Sequence, residues 1–451
     1  MMGRMKTNLA GWSACAVLGA FASGCSDDAA AGPADSVAIA TVFSVERTSA
    51  FLNDVAVSDA GPVFVAGQLD APSFDVVPTS FVARLPASGE GADAWRLERP
   101  GYDTFRVAAG SDGSVFVASQ IFEDGALGTV ALKAPAYPAS FVAKLTSDGA
   151  AEWVKYASSP NVVSAELAAR PDGGVVVAGV FSTTLSVGEL SLEGELTGGG
   201  SHLYALSLAG DGAAEWLIGF RDDSVQSSSV AVDPASGDVA LTGGFYGDIN
   251  FGDGPKTSGP SQALFFARLK KDGSPRWSRH YIGGAQLRAK FSTEGELLVG
   301  GAPWGFTDVG VDFAVSRPFV ARIGSGGATS WARLLTGPEV YQPWTALTTA
   351  PNGVALAYVE TIASSEGVNG VGTRAVAVRA YDASGELAGE HAVDVALTND
   401  GNSYGMQGAL ASNAHGDAVL VASESRWDPN TGQEKRKAQL VKLRVEPAAS
   451  E

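Results

Sequence analysis

The stretch Ser111-Asp112-Gly113-Ser114-Val115-Phe116-Val117-Ala118-Ser119, continued by Phe141-Val142-Ala143-Lys144-Leu145, Ser147-Asp148-Gly149 and Trp153, decides the fold of this chain. Apolar residues alternate in it with small or polar ones, the period of two that marks strands rather than the 3.6 of helices. Asp-Gly between such runs supplies the positive φ that a tight antiparallel turn needs. Four strands are predicted. One leads into Asp112-Gly113, the Val-rich phrase follows, Phe-Val-Ala-Lys-Leu is the third, and the fourth carries the Trp.

Both phrases recur along the chain. The Val-rich one returns from Gly61 to Gly67, Gly173 to Gly179, Gly237 to Gly243 and Gly295 to Gly301, with looser copies starting at Gly353 and Gly416. The partner phrase closes at Leu85, Leu145, Leu208, Leu269, Ile323, Tyr381 and Leu443, with spacings of 60, 63, 61, 54, 58 and 62 residues. A Gly stands four residues past each of the first six, and a Trp four further on in four of them: Trp153, Trp216, Trp277 and Trp331. The first repeat delays its Trp to Trp95, and the sixth has Gly389 there.

Four antiparallel strands repeated seven times predict an all-β, seven-bladed β-propeller. After Leu443 only Arg444 to Glu451 remain, too few for another turn and Trp strand. The segment Thr41-Val42-Phe43-Ser44-Val45 precedes the first strand with nothing to pair with, so it is expected to complete the last blade and leave no open edge.

The pattern of an Asp-Gly or Asn-Gly turn, Val-x-Val-x-Gly, Phe-Val-x-Lys-Leu, Asp-Gly and Trp resembles the bacterial seven-bladed β-propeller repeat, abbreviated SBBP, over residues 40 to 445. Blades six and seven depart from it at Tyr381, Gly389 and Ser423. The resemblance implies a secreted or surface lipoprotein and no catalytic residues.

The front end agrees. Arg4 and Lys6 precede an uncharged apolar run, too short for a comfortable permanent span, that ends in Ala22-Ser23-Gly24-Cys25. Small residues before a cysteine resemble the bacterial lipobox, so Cys25 is expected to be acylated. Cys15 would leave with the signal, and the mature chain would hold one cysteine and no internal disulfide. The expected layout is a lipoprotein signal at 1–24, a flexible tether at 25–37 and the propeller at 38–451, lipid-anchored in the cell envelope, most naturally the outer membrane.

Composition narrows the function. With 45% hydrophobic and 18% charged residues, the 451-residue chain has the apolar content of a folded core. Its formal charge of -18, from 31 Lys+Arg and 49 Asp+Glu, repels phosphate backbones and argues against a nucleic-acid partner. With 4 His and 2 Cys there is little material for a metal centre or a Cys/His nucleophile, and no cofactor is implied.

In a four-stranded blade, the one-to-two and three-to-four turns lie on one face, and the two-to-three and blade-to-blade connections on the other. Here the first set is short and uniform. The second is long and variable, at 68–80, 120–140, 180–203, 245–264, 302–318, 360–374 and 424–438, and is where a protein or glycan partner is expected. The Trp residues of the repeat are expected to pack blades. The off-pattern aromatics Trp304, Phe306, Trp427, Tyr246 and Phe251 are the candidate ligand-binding residues. Asp248, Asn250 and Asp253 cluster in a loop that lacks the EF-hand spacing, so a turn is expected there rather than a calcium site.

The strands lining the channel read as small or apolar. Arg106, Glu166, Arg288 and Lys290 are the charged exceptions, expected to point in alternating directions. Propellers also house quinone-dependent dehydrogenases, lyases and glycosidases, which gather carboxylates, His or Arg around the channel. The leading expectation is a monomeric, non-catalytic binding or scaffolding module, with such an enzyme or a purely structural envelope protein as the alternatives.

Overall fold

A computed structural model describes residues 37–447, apart from 71–76, 87–88, 90, 102, 160–164, 195–200, 304–317, 336–345, 365–371, 394–397, 400–402 and 429–432. Cys25, the signal and most of the tether lie outside the described residues.

Seven four-stranded antiparallel blades form a propeller. Blade 1 is Ala50–Val57, Val63–Leu69, Thr79–Arg84 and Trp95–Pro100, from the channel outward. Blade 2 is Arg106–Ala109, Val115–Ile121, Ala139–Leu145 and Ala151–Ser158. Blade 3 begins with Ala165–Ala169, Val175–Phe181 and His202–Leu208. The single strand Ala214–Val232 then serves as its outermost strand and as the innermost strand of blade 4. Blade 4 continues with Val239–Asn250, Ala263–Leu269 and Pro275–Ile282. Blade 5 is Ala285–Phe291, Leu297–Pro303, Phe319–Ile323 and Thr329–Leu334, and blade 6 is Leu347–Thr349, Ala355–Ser364, Gly372–Tyr381 and Leu387–Val393.

Blade 7 comprises Ser403–Ser412, Asp417–Asp428 and Gln433–Pro447, and its outermost strand is the N-terminal Val37–Thr48. The expected closure is therefore present, and longer than the five residues anticipated. Its pairing runs from Val37↔Pro447 to Thr48↔Lys437.

There is no single core. Each pair of neighbouring blades shares its own apolar layer, built from Val, Ala, Phe and Leu at alternate positions, and the layer between blades 7 and 1 closes the ring. Alternation produces this because each sheet buries both of its faces against neighbours.

Two sequence signatures acquire physical roles. The first is the Trp. The indole N–H of Trp95, Trp153, Trp216, Trp277 and Trp331 donates to a three-to-four turn carbonyl of the next blade, on Ser147, Gly210, Lys271, Ser325 and Ala383, at 2.7–3.0 Å. The turn Gly lies flat on that ring. Gly385 has φ +82°, and a Cβ there would fall 2.5 Å from Trp331. Trp and Gly are thus halves of one contact, repeated round the ring. Trp95 stands opposite Arg84 as Trp153 stands opposite Lys144, so the two extra residues of the first repeat are absorbed in its turn.

Blade 6 shows why its Trp is missing. The strand after Gln433–Pro447 comes from the other end of the chain, so blade 7 has no three-to-four turn for a blade 6 indole to cap. Gly389 fills the Trp position, opposite Ala380, and any side chain there would strike the carbonyl of Val37. At the closure Phe43 occupies the Trp register, opposite Lys442, and its ring covers Gly89 of blade 1. Ser423, the departure in blade 7, is buried and exchanges two hydrogen bonds with the backbone of Leu52 in blade 1, at 2.9 and 2.7 Å.

The second signature is the Lys or Arg of Phe-Val-Ala-Lys-Leu. Lys144, Arg268, Arg322 and Lys442 each reach an acid at the one-to-two turn of their own blade: Asp112, Asp238, Glu296 and Asp417. In blade 3 that position is Ser207, and Arg170 enters from the turn instead, bonding Ser207, Asp172 and Glu215.

Trp216→Phe keeps the ring over Gly273 and removes only the bond to Lys271. The expected loss is about 1 kcal/mol in urea unfolding, the net worth of one such hydrogen bond.

Candidate functional site

The innermost strands meet around a cavity of about 90 Å³, lined by residues of every blade. Register places Asp54, Arg106, Glu166, Ser229, Arg288 and Gly408 at one level, each opposite a small residue of the second strand: Ala66, Ala118, Ala178, Thr242, Gly300 and Ala422. Two residues further along lie Ala56, Ala108, Ala168, Ala231, Lys290, Thr348 and Leu410, so Lys290 is the one charge at a level of otherwise uncharged residues.

This corrects the expectation of alternating directions. Arg106, Glu166 and Arg288 share one position, and Lys290 is on the same side of its strand as Arg288. Asp54 joins them and was missed. Asn53-Asp54-Val55 does not stand out as a channel segment until a bulge between Leu52 and Asp54 sets the pairing.

The five charges differ in how they are satisfied. Arg106 bonds Glu166 across blades 2 and 3 at 3.0 Å, and that carboxylate holds the Arg106 guanidinium above its ordinary value. Asp54 accepts from the N–H groups of Val55 and Val107, both at 3.0 Å. Burial pushes the Asp54 carboxyl up, against the opposing pull of Arg106. Among the described residues Arg288 makes one long bond, to the carbonyl of Leu287 at 3.4 Å. Lys290 has no ion-pair or hydrogen-bond partner among the described residues and is exposed to the cavity. Enclosure by the surrounding strands pushes its ammonium down, against the opposing pull of Asp54 and, more weakly, Glu166, and Arg288 adds to the downward push. The cavity holds two carboxylates and no histidine among the described residues.

Three of the long connections, those of blades 2, 3 and 4, are built into strands. In blade 2 the hairpin Gly125–Leu127 with Val130–Leu132 folds back on the outermost strand of blade 1, burying Leu127, Val130 and Leu132 beside Leu97. In blade 3 the hairpin Thr184–Val187 with Leu190–Glu193 adds to the outermost strand of blade 2 through Ser158↔Ser186 and buries Leu185 and Val187. In blade 4 the prolonged second strand pairs with Pro255–Thr257 and carries Ile249 and Phe251 inward. Each of the three connections clamps the preceding blade. A shared signal was present in the sequence: an apolar residue before a Gly of positive φ, in Leu127-Gly128, Val187-Gly188 and Phe251-Gly252.

Of the candidate aromatics, Phe251 is corrected. It is 3% exposed and packs 5.0 Å from both Phe220 and Phe265, because the prolonged strand turns it under the clamp rather than outward. Tyr246 is exposed. Trp427 lies on Asp417–Asp428, opposite Glu434. Trp304 and Phe306 lie outside the described residues. In the acidic loop, Asp253 accepts from Ser278 and Lys256, Asn250 from the N–H groups of Gly252 and Gly254, and Asp248 from Thr257. These oxygens hold turns, as expected for that loop.

Fold and site thus define the class: a seven-bladed propeller with a charged central cavity and a face of inter-blade clamps. No family model matches this chain. No curated protein matches it either. Among solved structures, the parainfluenza virus 5 hemagglutinin-neuraminidase ectodomain is similar with a TM-score of 0.38 and 8% identity, over 92% of this chain and 83% of that one. A DUF4221 family member from Bacteroides vulgatus gives 0.36 and 9%, over 92% and 100%. Synechocystis apocarotenoid oxygenase gives 0.34 and 12%, over 64% and 62%. Likenesses this weak carry nothing over to this chain.

Proposed function

We propose that this protein is a lipid-anchored binding module of the bacterial cell envelope, of the SBBP repeat kind, which holds a protein or glycan partner on its long-loop face as a monomer. The supporting observation is where apolar surface remains exposed. Among the described residues, Val77, Phe122, Tyr137 and Leu190 are large hydrophobics left open to solvent on two-to-three connections, Tyr246 is exposed on the prolonged end of Val239–Asn250, and Ile282 is exposed at the last residue of Pro275–Ile282, where blade 4 leads into blade 5. The other two, Val42 and Leu387, are on outermost strands. The clamps tie the connections of blades 2, 3 and 4 to the preceding blades, so the exposed Phe122, Tyr137, Leu190 and Tyr246 are presented on rigid supports, which lowers the entropy lost on binding. Exposed aromatics suit sugar rings and protein anchors alike. Cys25 would be the acylated residue and the outer membrane the site of anchoring.

The test is retention of envelope proteins and glycans by the soluble part, residues 38–451. Phe122→Asp with Ile282→Asp is expected to reduce retention at least tenfold. Both residues are more than 60% exposed, so the melting temperature should stay unchanged. Equal retention by the double variant would refute the reading. Intact mass of the mature chain tests the anchor, since a chain beginning at Cys25 without added lipid would remove it.

A further inference from the structure

We infer that the central cavity is a binding site for a small oxyanion, a carboxylate or phosphate, held by Arg288 and Lys290. The inference is independent of the partner face.

The argument starts from the repeat. At the level of Lys290 four blades carry Ala, one Thr and one Leu. These short or uncharged side chains let the innermost strands approach the axis. One blade places a long cation there instead, two residues from an Arg on the same side of the same strand. Residues so spaced along a strand have Cα atoms about 6.5 Å apart, so two like charges are held close in a walled space.

The available carboxylates are otherwise engaged. Glu166 is bonded to Arg106, and both oxygens of Asp54 accept backbone N–H groups. Among the described residues, the cavity lining sets three cations against two carboxylates, a positive balance inside a chain of net charge -18. A position that departs from its repeat by setting a charge beside a like charge, with no hydrogen-bond or ion-pair partner among the described residues, lowers stability, and such positions are where binding sites are found.

The chemistry specifies the ligand. A guanidinium presents a planar fork of donors and an ammonium three rotatable ones, and both suit oxygens sharing negative charge. About 90 Å³ admits a small anion and excludes a polymer.

The experiment is thermal unfolding of the protein with inorganic phosphate or succinate in the millimolar range, against sodium chloride at matched ionic strength. At least one of the two should raise the midpoint by about 3 °C or more above chloride, as mass action requires of a ligand bound only by the folded state. The arm that responds distinguishes phosphate from carboxylate. Lys290→Ala, which installs the residue four other blades use, should abolish that rise and, without anion, melt no lower than the parent. Arg288→Ala should abolish the rise too. A rise no larger than that from chloride, or one that survives in Lys290→Ala, overturns the inference. So does a Lys290→Ala variant that melts well below the parent without anion, which would make Lys290 a structural counter-ion of Asp54 and Glu166.

Discussion

A chain starting at residue 49, without the strand Val37–Thr48, is expected to melt at least about 10 °C below the full protein or to be recovered as aggregate. Every other blade takes its four strands from one stretch of chain, or shares a strand with its sequence neighbour. Blade 7 alone joins the two ends. Removing the strand strips the partners from Gln433–Pro447 along its length, from Pro447 back to Lys437. At a net 0.5–1.5 kcal/mol for each hydrogen bond, with the packing of Val37, Ile39 and Phe43 on the neighbouring layers lost as well, the loss is on the order of 5 kcal/mol or more, comparable to the whole stability of many domains. The exposed edge would also offer itself to a second copy, which is why aggregation is the alternative form of the same result.

Phe43 resolves how much of that effect is side chain. It occupies the register taken by Trp in five blades and covers Gly89. Phe43→Ala should lose about 2 kcal/mol, while Phe43→Trp should be neutral or stabilising, since the slot is Trp-shaped elsewhere. Calorimetry on the two variants, with size-exclusion chromatography of the shortened chain, checks the set. A shortened chain that stays monomeric and melts with the parent would mean that the ring does not depend on its closure.

The architecture was legible because the repeat prints each local requirement seven times. Turn glycines, strand periodicity and the leftover front segment all point to one closure, and only a ring satisfies them together. Residues whose meaning depends on the next blade were harder to read. Gly389 is, in the sequence alone, only a departure from the repeat. It becomes intelligible once blade 7 is seen to have no turn for an indole to cap. Loop length alone suggests an exposed Phe251, whereas the clamp folds it under. The cavity was half legible. Four of its charges stood out from an apolar background, but the level they share depends on pairing register, which a bulge of one residue alters. Asp54 entered only through that register.

Arg268→Met should be the most damaging single substitution away from the closure, at about 3–5 kcal/mol. The Arg268 side chain is 8% exposed, and it bonds Asp233 and Asp238, each 3% exposed, at 2.7 and 2.9 Å. It also donates to the carbonyl of Gly295 in blade 5 at 2.7 Å, and lies 4.9 Å from the centre of the Phe291 ring. One guanidinium therefore neutralises the one-to-two turn of its own blade and fastens the next. Methionine would fill most of the volume but leave two buried carboxylates, with only Arg276 to partner Asp238 and turn donors to serve Asp233. The damage comes from the stranded charges rather than from lost packing, and this can be checked. Adding Asp233→Asn and Asp238→Asn to Arg268→Met should recover more than half of the loss in urea unfolding, because neutral amides leave no charge to strand. Arg268→Lys should fall between, since Lys144 already bridges Asp112 and Glu152 at this position in blade 2, at 3.7 and 3.1 Å. Blade 3 supplies the natural control. Where Ser207 replaces the base, Arg170 reaches in from the turn to the acids, so the turn retains a cation even where the repeat's own is lost. If the triple variant proves no more stable than Arg268→Met, the stabilisation resides in the contacts to Gly295 and Phe291, and the recurring Lys or Arg is a blade-to-blade fastener first.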